Sequence, residues 1–237
     1  MPKTSPKKSA PAPKSSRREL LQESILEAAS TLFIQRGFQG TSMGDIAEAM
    51  GVTRTAIYYY FRNKEAILRE LTTEITGMAG KQAAQVDDTN SDPMEALRQL
   101  VLQHARLILG HPLQFRVVER NEENLSPAIR KEAEASRRLV LSRFQAVIEA
   151  GMQAGQFRIV DPKIAAFAII GMCNWSAWWF SASGKVPLEE VAQMLATFAL
   201  QSVVRGEERR SRENSVDESL RQLREDLALL ERRLHNP

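Results

Sequence analysis

The chain has 237 residues, 43% of them hydrophobic and 26% charged, which supplies enough apolar surface for a core and excludes disorder throughout. A single cysteine, Cys173, excludes an internal disulfide framework and a Cys-rich metal site, and no run reaches the roughly 18 uninterrupted apolar residues of a membrane-spanning helix. The net charge is only +3, yet residues 1–64 carry ten basic side chains against five acidic ones, so a basic end suited to a polyanion precedes a slightly acidic body. No apolar stretch follows the N-terminal lysines, so no secretory signal is expected and the expected location is the cytoplasm.

Residues 1–15, MPKTSPKKSAPAPKS, bury too little to offset their ordering entropy and read as a disordered basic tail. Ser16 and Glu19 fit a capping box, and Leu21, Ile25, Ala28, Ala29, Leu32 and Phe33 then form one apolar helical face that stops at Gly37. A short second helix follows Ser42, with Met43, Ile46, Ala47 and Met50 inward and Gly51 at its end. Thr53 caps a third helix over Arg54 to Tyr60, and Asn63 caps a fourth that carries Ile67, Leu68, Leu71 and Ile75. Two short helices around a glycine turn, with a support helix before them, make residues 16–62 a helix-turn-helix module.

The remainder, 63–205, reads as a larger helical body. Asp92-Pro93, Ser126-Pro127 and Asp161-Pro162 each place a cap residue before a proline that loses no hydrogen bond at the first helical position. Helices are predicted near 93–109, 112–124, 127–154, 162–181 and 187–205, and with no sustained period-two alternation the fold class is all-α. Residues 206–215 read as a polar linker. Over 216–235, Val216, Leu220, Leu223, Leu227, Leu230 and Leu234 alternate spacings of four and three, an amphipathic C-terminal helix that needs a partner surface. Parallel pairing of two copies would oppose Asp226 and Glu231, which favours packing on the body or an antiparallel arrangement.

The stretch GFQGTSMGDIAEAMGVTRTAIYYYFRNKEAIL, residues 37–68, carries the functional signal. With Ile57 and Phe61 inward, the third helix presents Arg54, Thr55, Tyr58 and Tyr59 outward. Arginine bonds guanine O6 and N7 in a bidentate way, and Thr55 and Ala56 suit a thymine methyl. The tyrosine hydroxyls and Lys64 suit phosphates, as do the N–H groups beside Thr41 and Ser42 and the cap at Thr53. Three adjacent helical tyrosines cannot share one face, so Tyr60 is either core or a phosphate contact.

This run resembles the N-terminal signature of the TetR family of bacterial repressors, through Gly37-Phe38, Thr41-Ser42-Met43, Asp45-Ile46-Ala47, Gly51-Val52-Thr53, Tyr58-Tyr59-Tyr60-Phe61 and Asn63-Lys64-Glu65. About 50 residues match in fixed order, far more specific than a lone motif. The resemblance implies a repressor that binds a palindromic DNA operator as a homodimer, with a small-molecule pocket in the body of each subunit. Gly44 departs from the basic or polar residue the family often carries there, and Thr55-Ala56 replaces a common Gly-Thr pair, which leaves the operator sequence open.

In the body, the apolar helix at 162–181 and the helix at 187–205 would, by the resemblance, form the dimer face through Phe167, Ile170, Trp179, Val191, Leu195, Phe198 and Ser202. The segment Asn174-Trp175-Ser176-Ala177-Trp178-Trp179 holds all three tryptophans and suits either a pocket wall or a dimer anchor. His104, Phe115, Arg116, Asn121, Met172, Asn174, Trp175 and Trp178 are the candidate ligand-binding residues, with Arg116 or His104 as partner for an acidic head group. The Asn-Trp-x-x-Trp-Trp pattern resembles regulators of fatty-acid and steroid catabolism that sense acyl-CoA thioesters; an aromatic or drug-like ligand is the alternative. An enzyme is disfavoured: His104, His111 and His235 show no metal-ligand spacing, and neither a phosphate loop nor a nucleophile elbow is present. No cofactor is expected. The alternative of another class is a helical interaction protein without ligand response that uses the C-terminal amphipathic segment; a membrane-surface role for that segment is disfavoured, because its polar face mixes acids and bases without the basic bias that anionic lipid requires.

Overall fold

The computed structural model describes residues 14–85 and 92–205, together with Leu220, Leu223, Arg224 and Leu227. The described residues are all-helical: α1 (Lys14–Arg36), α2 (Met43–Ala49), α3 (Arg54–Tyr60), α4 (Lys64–Gln85), α5 (Pro93–Gly110), α6 (Pro112–Arg120), a 3-10 turn (Glu122–Asn124), α7 (Pro127–Gln153), α8 (Pro162–Trp179) and α9 (Leu188–Val203). No strand forms among them; an isolated bridge pairs Phe157 with Val204.

Two compact units result. Among the described residues, one holds 14–74 together with Leu113–Arg130; the other holds 75–85, 92–112 and 131–205. In the first, Ile25, Ala29, Leu32 and Phe33 of α1 are buried with Ile46, Ile57, Phe61, Ile67, Leu68 and Leu71, and the rings of Phe33 and Phe38 meet at 5.0 Å. Each fully buried side chain of this size contributes roughly 1.5–3 kcal/mol, so the short helices α2 and α3, marginal alone, are held by tertiary packing. In the second, α5 packs on α8 and α9, with Leu97, Val101, Ala105, Phe144, Ile148, Ala166, Cys173, Ala192 and Ala199 in the core. A bidentate pair, Arg106 to Glu189 at 2.6 and 2.9 Å, ties α5 to α9 at the surface.

Several boundaries move for physical reasons. The first helix is described from Lys14, so Ser16 lies within helical backbone, and residues 14 and 15 are helix rather than tail. Helix α6 stops at Arg120, short of the expected 124. The Asn121 side chain donates to the Val117 carbonyl at 2.8 Å and takes the acceptor that a continuing helix needs, and the chain tightens into the 3-10 turn. Asp92 precedes Pro93 as expected, but its carboxylate makes no cap and accepts from Gln156 Nε2 at 2.6 Å. Asp161 does cap α8, accepting from the N–H groups of Lys163 and Ile164.

Residues 1–13 of the basic tail and the 206–215 linker lie outside the described residues. So does most of the C-terminal heptad segment. Its described members, Leu220, Leu223, Arg224 and Leu227, are helical, and the three leucines are about half exposed.

Candidate nucleic-acid interface

The α2–α3 pair is built by local signals. The Ser42 side chain accepts from the Asp45 N–H at 3.2 Å while the Asp45 carboxylate accepts from the Ser42 N–H at 2.7 Å, a reciprocal capping box. These bonds from Ser42, and then the positive charges of Arg36 and Arg54, lower the Asp45 pKa. Gly51 turns the chain at φ 65°, a conformation a side chain would strain, and Val52 N–H closes the turn on the Ala47 carbonyl at 3.0 Å. Thr53 caps α3 by accepting from the Ala56 N–H at 3.2 Å.

This geometry buries Ile57 and leaves Arg54, Thr55, Tyr58 and Tyr59 exposed on one outward surface, with Tyr59 at 71%. Ala56 is half-buried beside them. Tyr60 meets Tyr59 edge-on at 5.2 Å and lines an open cleft of about 640 Å³ with Gln22, Arg62, Arg69 and Asn124. The cleft lies wholly within the first unit, and nothing in the periodicity of the sequence signals it.

Two expected phosphate contacts are occupied internally. Thr41 is only 2% exposed, and its hydroxyl faces the Gly37 carbonyl at 2.9 Å and the Leu32 carbonyl at 3.3 Å, so it secures the end of α1. Lys64 turns inward: Nζ donates to the carbonyls of Phe38, Thr41 and Gln39 at 2.7, 3.2 and 3.3 Å and sits 4.7 Å from the Phe38 ring centroid. It therefore holds the loop that leads into α2. The hydroxyl of Ser42, though exposed, donates to Asp45 at 2.6 Å.

The expected ligand residues are divided. Phe115, Arg116 and Asn121 belong to the first unit, where Phe115 and Asn121 are buried. His104, Met172, Asn174, Trp175 and Trp178 belong to the second. There His104 Nε2 meets Asn174 Oδ1 at 2.8 Å, and burial lowers the imidazole pKa, opposed in part by that hydrogen bond. A neutral imidazole is a poor partner for an acidic head group. Beside it, Gln82 and Gln103 flank a small cavity of about 10 Å³, and the Oε1 of each is buried with no hydrogen-bond partner. Unmet amide oxygens in such a place cost about 1–3 kcal/mol each, and the void is about large enough for one water. Gln82 was not identifiable from spacing. Met172 is half-buried against the core.

Helix α8 is not buried all round. Ala166, Ile169, Cys173, Ser176 and Ala177 face the core, while Ile164, Phe167, Gly171, Trp175 and Trp179 form an exposed stripe. Trp175 is 63% exposed and stacks on the half-buried Trp178 with centroids at 5.6 Å, so it stands on that stripe and does not wall the cavity. Helix α9 adds exposed Phe198 and Met194. Of the residues expected on the dimer face, Phe167, Trp179 and Phe198 are exposed, as is Ser202, whose hydroxyl bonds back to the Ala199 carbonyl. Val191 and Leu195 are enclosed in the core of their own unit and Ile170 packs against it, because the inner side of α9 is the one carrying Ala192, Ala196 and Ala199. Cys173 is buried and its thiol pKa is pushed up to about 12. Among the described residues no three His, Cys, Asp or Glu side chains converge on a possible metal position, and no helix is long and apolar enough to cross a membrane.

Residues 25–71 match the family model of bacterial regulatory proteins of the tetR family, and residues 90–203 match a tetracyclin repressor-like C-terminal domain. The chain is similar to the solved TetR family transcriptional regulator PfmR from Thermus thermophilus, at 32% identity and TM-score 0.66, covering 75% of this chain and 97% of that one. It is 23% identical to the transcriptional repressor KstR2 of Mycolicibacterium smegmatis over 188 residues, 78% of this chain and 92% of that protein. The structure of AibR in complex with isovaleryl coenzyme A and operator DNA matches at 26% identity and TM-score 0.61, covering 75% of this chain and 96% of that one.

Proposed function

Because the chain belongs to the TetR family of transcriptional regulators, we propose that it is a repressor that binds a palindromic operator as a homodimer and releases it when a small acyl-type molecule occupies the body. The observation that carries the DNA-binding part is the outward surface of α3, where Arg54, Thr55, Tyr58 and Tyr59 stand exposed over a fixed, buried Ile57. A helix of this kind enters the major groove, and two of them about one DNA turn apart, roughly 34–36 Å, match the half-sites of a palindrome. The apolar stripe of Ile164, Phe167, Trp175 and Trp179 on α8, with Met194 and Phe198 on α9, suits a second copy of the chain: one protomer leaves these large side chains in water.

The effector reading rests on the polar cluster of Gln82, Gln103, His104 and Asn174 beside its small cavity in an otherwise apolar core. A cavity of that size admits no effector without widening. An effector therefore acts by favouring a widened arrangement, and it weakens operator binding only by preferring that arrangement. The AibR complex with isovaleryl coenzyme A supports an acyl-CoA as the first class to try. The test is footprinting of genomic DNA with the full chain, followed by competition with acyl-CoAs of increasing length. Recovery of palindromic fragments that a particular acyl-CoA releases is the expected result. Absence of any protected fragment would overturn the DNA-binding reading; protection that no acyl-CoA reverses would overturn the effector class alone.

A further inference from the structure

Arg54 does not project freely from α3. Its guanidinium lies across α2 at Gly44: Nη2, Cζ and Nε are 2.7, 2.9 and 2.9 Å from the point a Cβ on residue 44 would occupy. Real Cβ atoms do not come so close, so any side chain at 44 displaces the arginine. Arg54 is the first residue of its helix, beside the turn that joins the two elements, and its charge adds a minor part to the lowering of the pKa of Asp45, the residue next to Gly44. Glycine inside a helix is otherwise unfavourable relative to alanine. At this position the missing side chain makes room for a guanidinium.

We propose that Gly44 is a specificity-determining position that acts through Arg54: by lacking a side chain it seats the guanidinium across α2 and fixes its aim, so that one arginine serves the outward surfaces of both short helices. The inference rests on the DNA-binding reading above. A planar donor fork held in one orientation loses little freedom on pairing with a base edge, whereas a freely waving arginine loses more. Gly44 is thus a positioning residue, and its effect is confined to whatever Arg54 reads.

The test is selection from randomised duplexes by the full-length protein, its Gly44→Ala and Arg54→Ala variants and the double variant, with gel-shift titration of the selected site. Arg54→Ala is expected to relax preference at one base pair of each half-site by roughly 5- to 150-fold, the range for a lost bidentate contact. Gly44→Ala is expected to disturb preference at that same base pair. In the Arg54→Ala background it is expected to change nothing further. Because the obstructing atoms are the far end of a flexible side chain, Gly44→Ala should melt no lower than the parent, which separates displacement of Arg54 from misfolding. Parental preference in Gly44→Ala, or a loss that adds in full to that of Arg54→Ala, would overturn the inference. So would a uniform loss across all sequences for Arg54→Ala with a salt slope shallower by about one, since that makes Arg54 a phosphate contact. Failure of the parent protein to select any duplex would instead bring down the DNA-binding reading itself.

Discussion

Replacing Lys64 by methionine separates two roles that the sequence does not distinguish. A lysine on the duplex backbone releases about one counterion, so its loss flattens the dependence of log K on log salt by about one. Lys64 instead donates to the carbonyls of Phe38, Thr41 and Gln39 at 2.7, 3.2 and 3.3 Å and lies 4.7 Å from the Phe38 ring centroid. A hydrogen bond from a charged donor contributes about 1.5–3 kcal/mol, and a cation against a ring from about 0.5 kcal/mol where water reaches it to about 2 where it is desolvated, with Phe38 itself buried. The two longer bonds are weaker, and water can replace part of the set at this half-buried position. The net loss for Lys64→Met is then about 2 kcal/mol of local stability in the loop before α2. Hydrogen exchange of peptides spanning residues 37–50 should show roughly 30-fold faster opening at that cost. Operator affinity should fall with an unchanged salt slope. Unchanged exchange together with a slope reduced by one would refute the inward assignment and return Lys64 to the DNA.

Three further outcomes follow from the second unit. Phe167→Asp combined with Trp175→Asp places two charges on the exposed stripe of α8, and it should weaken self-association at least roughly 100-fold in sedimentation equilibrium without loss of helical signal; an undisturbed dimer would move the interface elsewhere. His104 has a folded pKa below its ordinary value of 6.5, so the unfolded chain binds the extra proton first. Stability is complete above about pH 6.5 and falls as the pH drops below it, and a His104→Gln variant should lack that component in urea titrations at about pH 5 and 7. The Cys173 thiol, buried with its pKa pushed up to about 12, should resist iodoacetamide at about pH 8 and react only as fast as its unit opens; rapid labelling of the native protein would contradict the packing of α8.

Much of the architecture was legible because glycine and proline punctuate it. Gly37 and Gly51 mark ends and turns, Thr53 and Asn63 cap α3 and α4, and Asp161-Pro162 opens α8 where expected. The outward set Arg54, Thr55, Tyr58 and Tyr59 followed from placing Ile57 and Phe61 inside. What escaped was the choice between equivalent partners. Thr41 and Lys64 have the chemistry of phosphate ligands, and only the tertiary path of the loop gives them carbonyls to bind instead. Helix α9 is apolar over more than half its circumference, so its periodicity could not say whether Val191 and Leu195 or Met194 and Phe198 face the protomer's own core. In α6 the stop came from one asparagine taking a carbonyl that a helix pattern assumes is available. The seat of Arg54 on Gly44 is a relation between two helices, and no local pattern encodes it.

The loop from Phe38 to Thr41 is fastened at two places. Lys64, the first residue of α4, grips its carbonyls, and Asn124 accepts from the Gln39 side chain at 3.0 Å. That same continuous helix carries Ala79, Gln82 and Ala83, which border the small cavity. Lys64 and Gln82 thus belong to a single run of helical backbone, so any change in how that run is wound bears on the fastening of the loop as well as on the lining of the cavity.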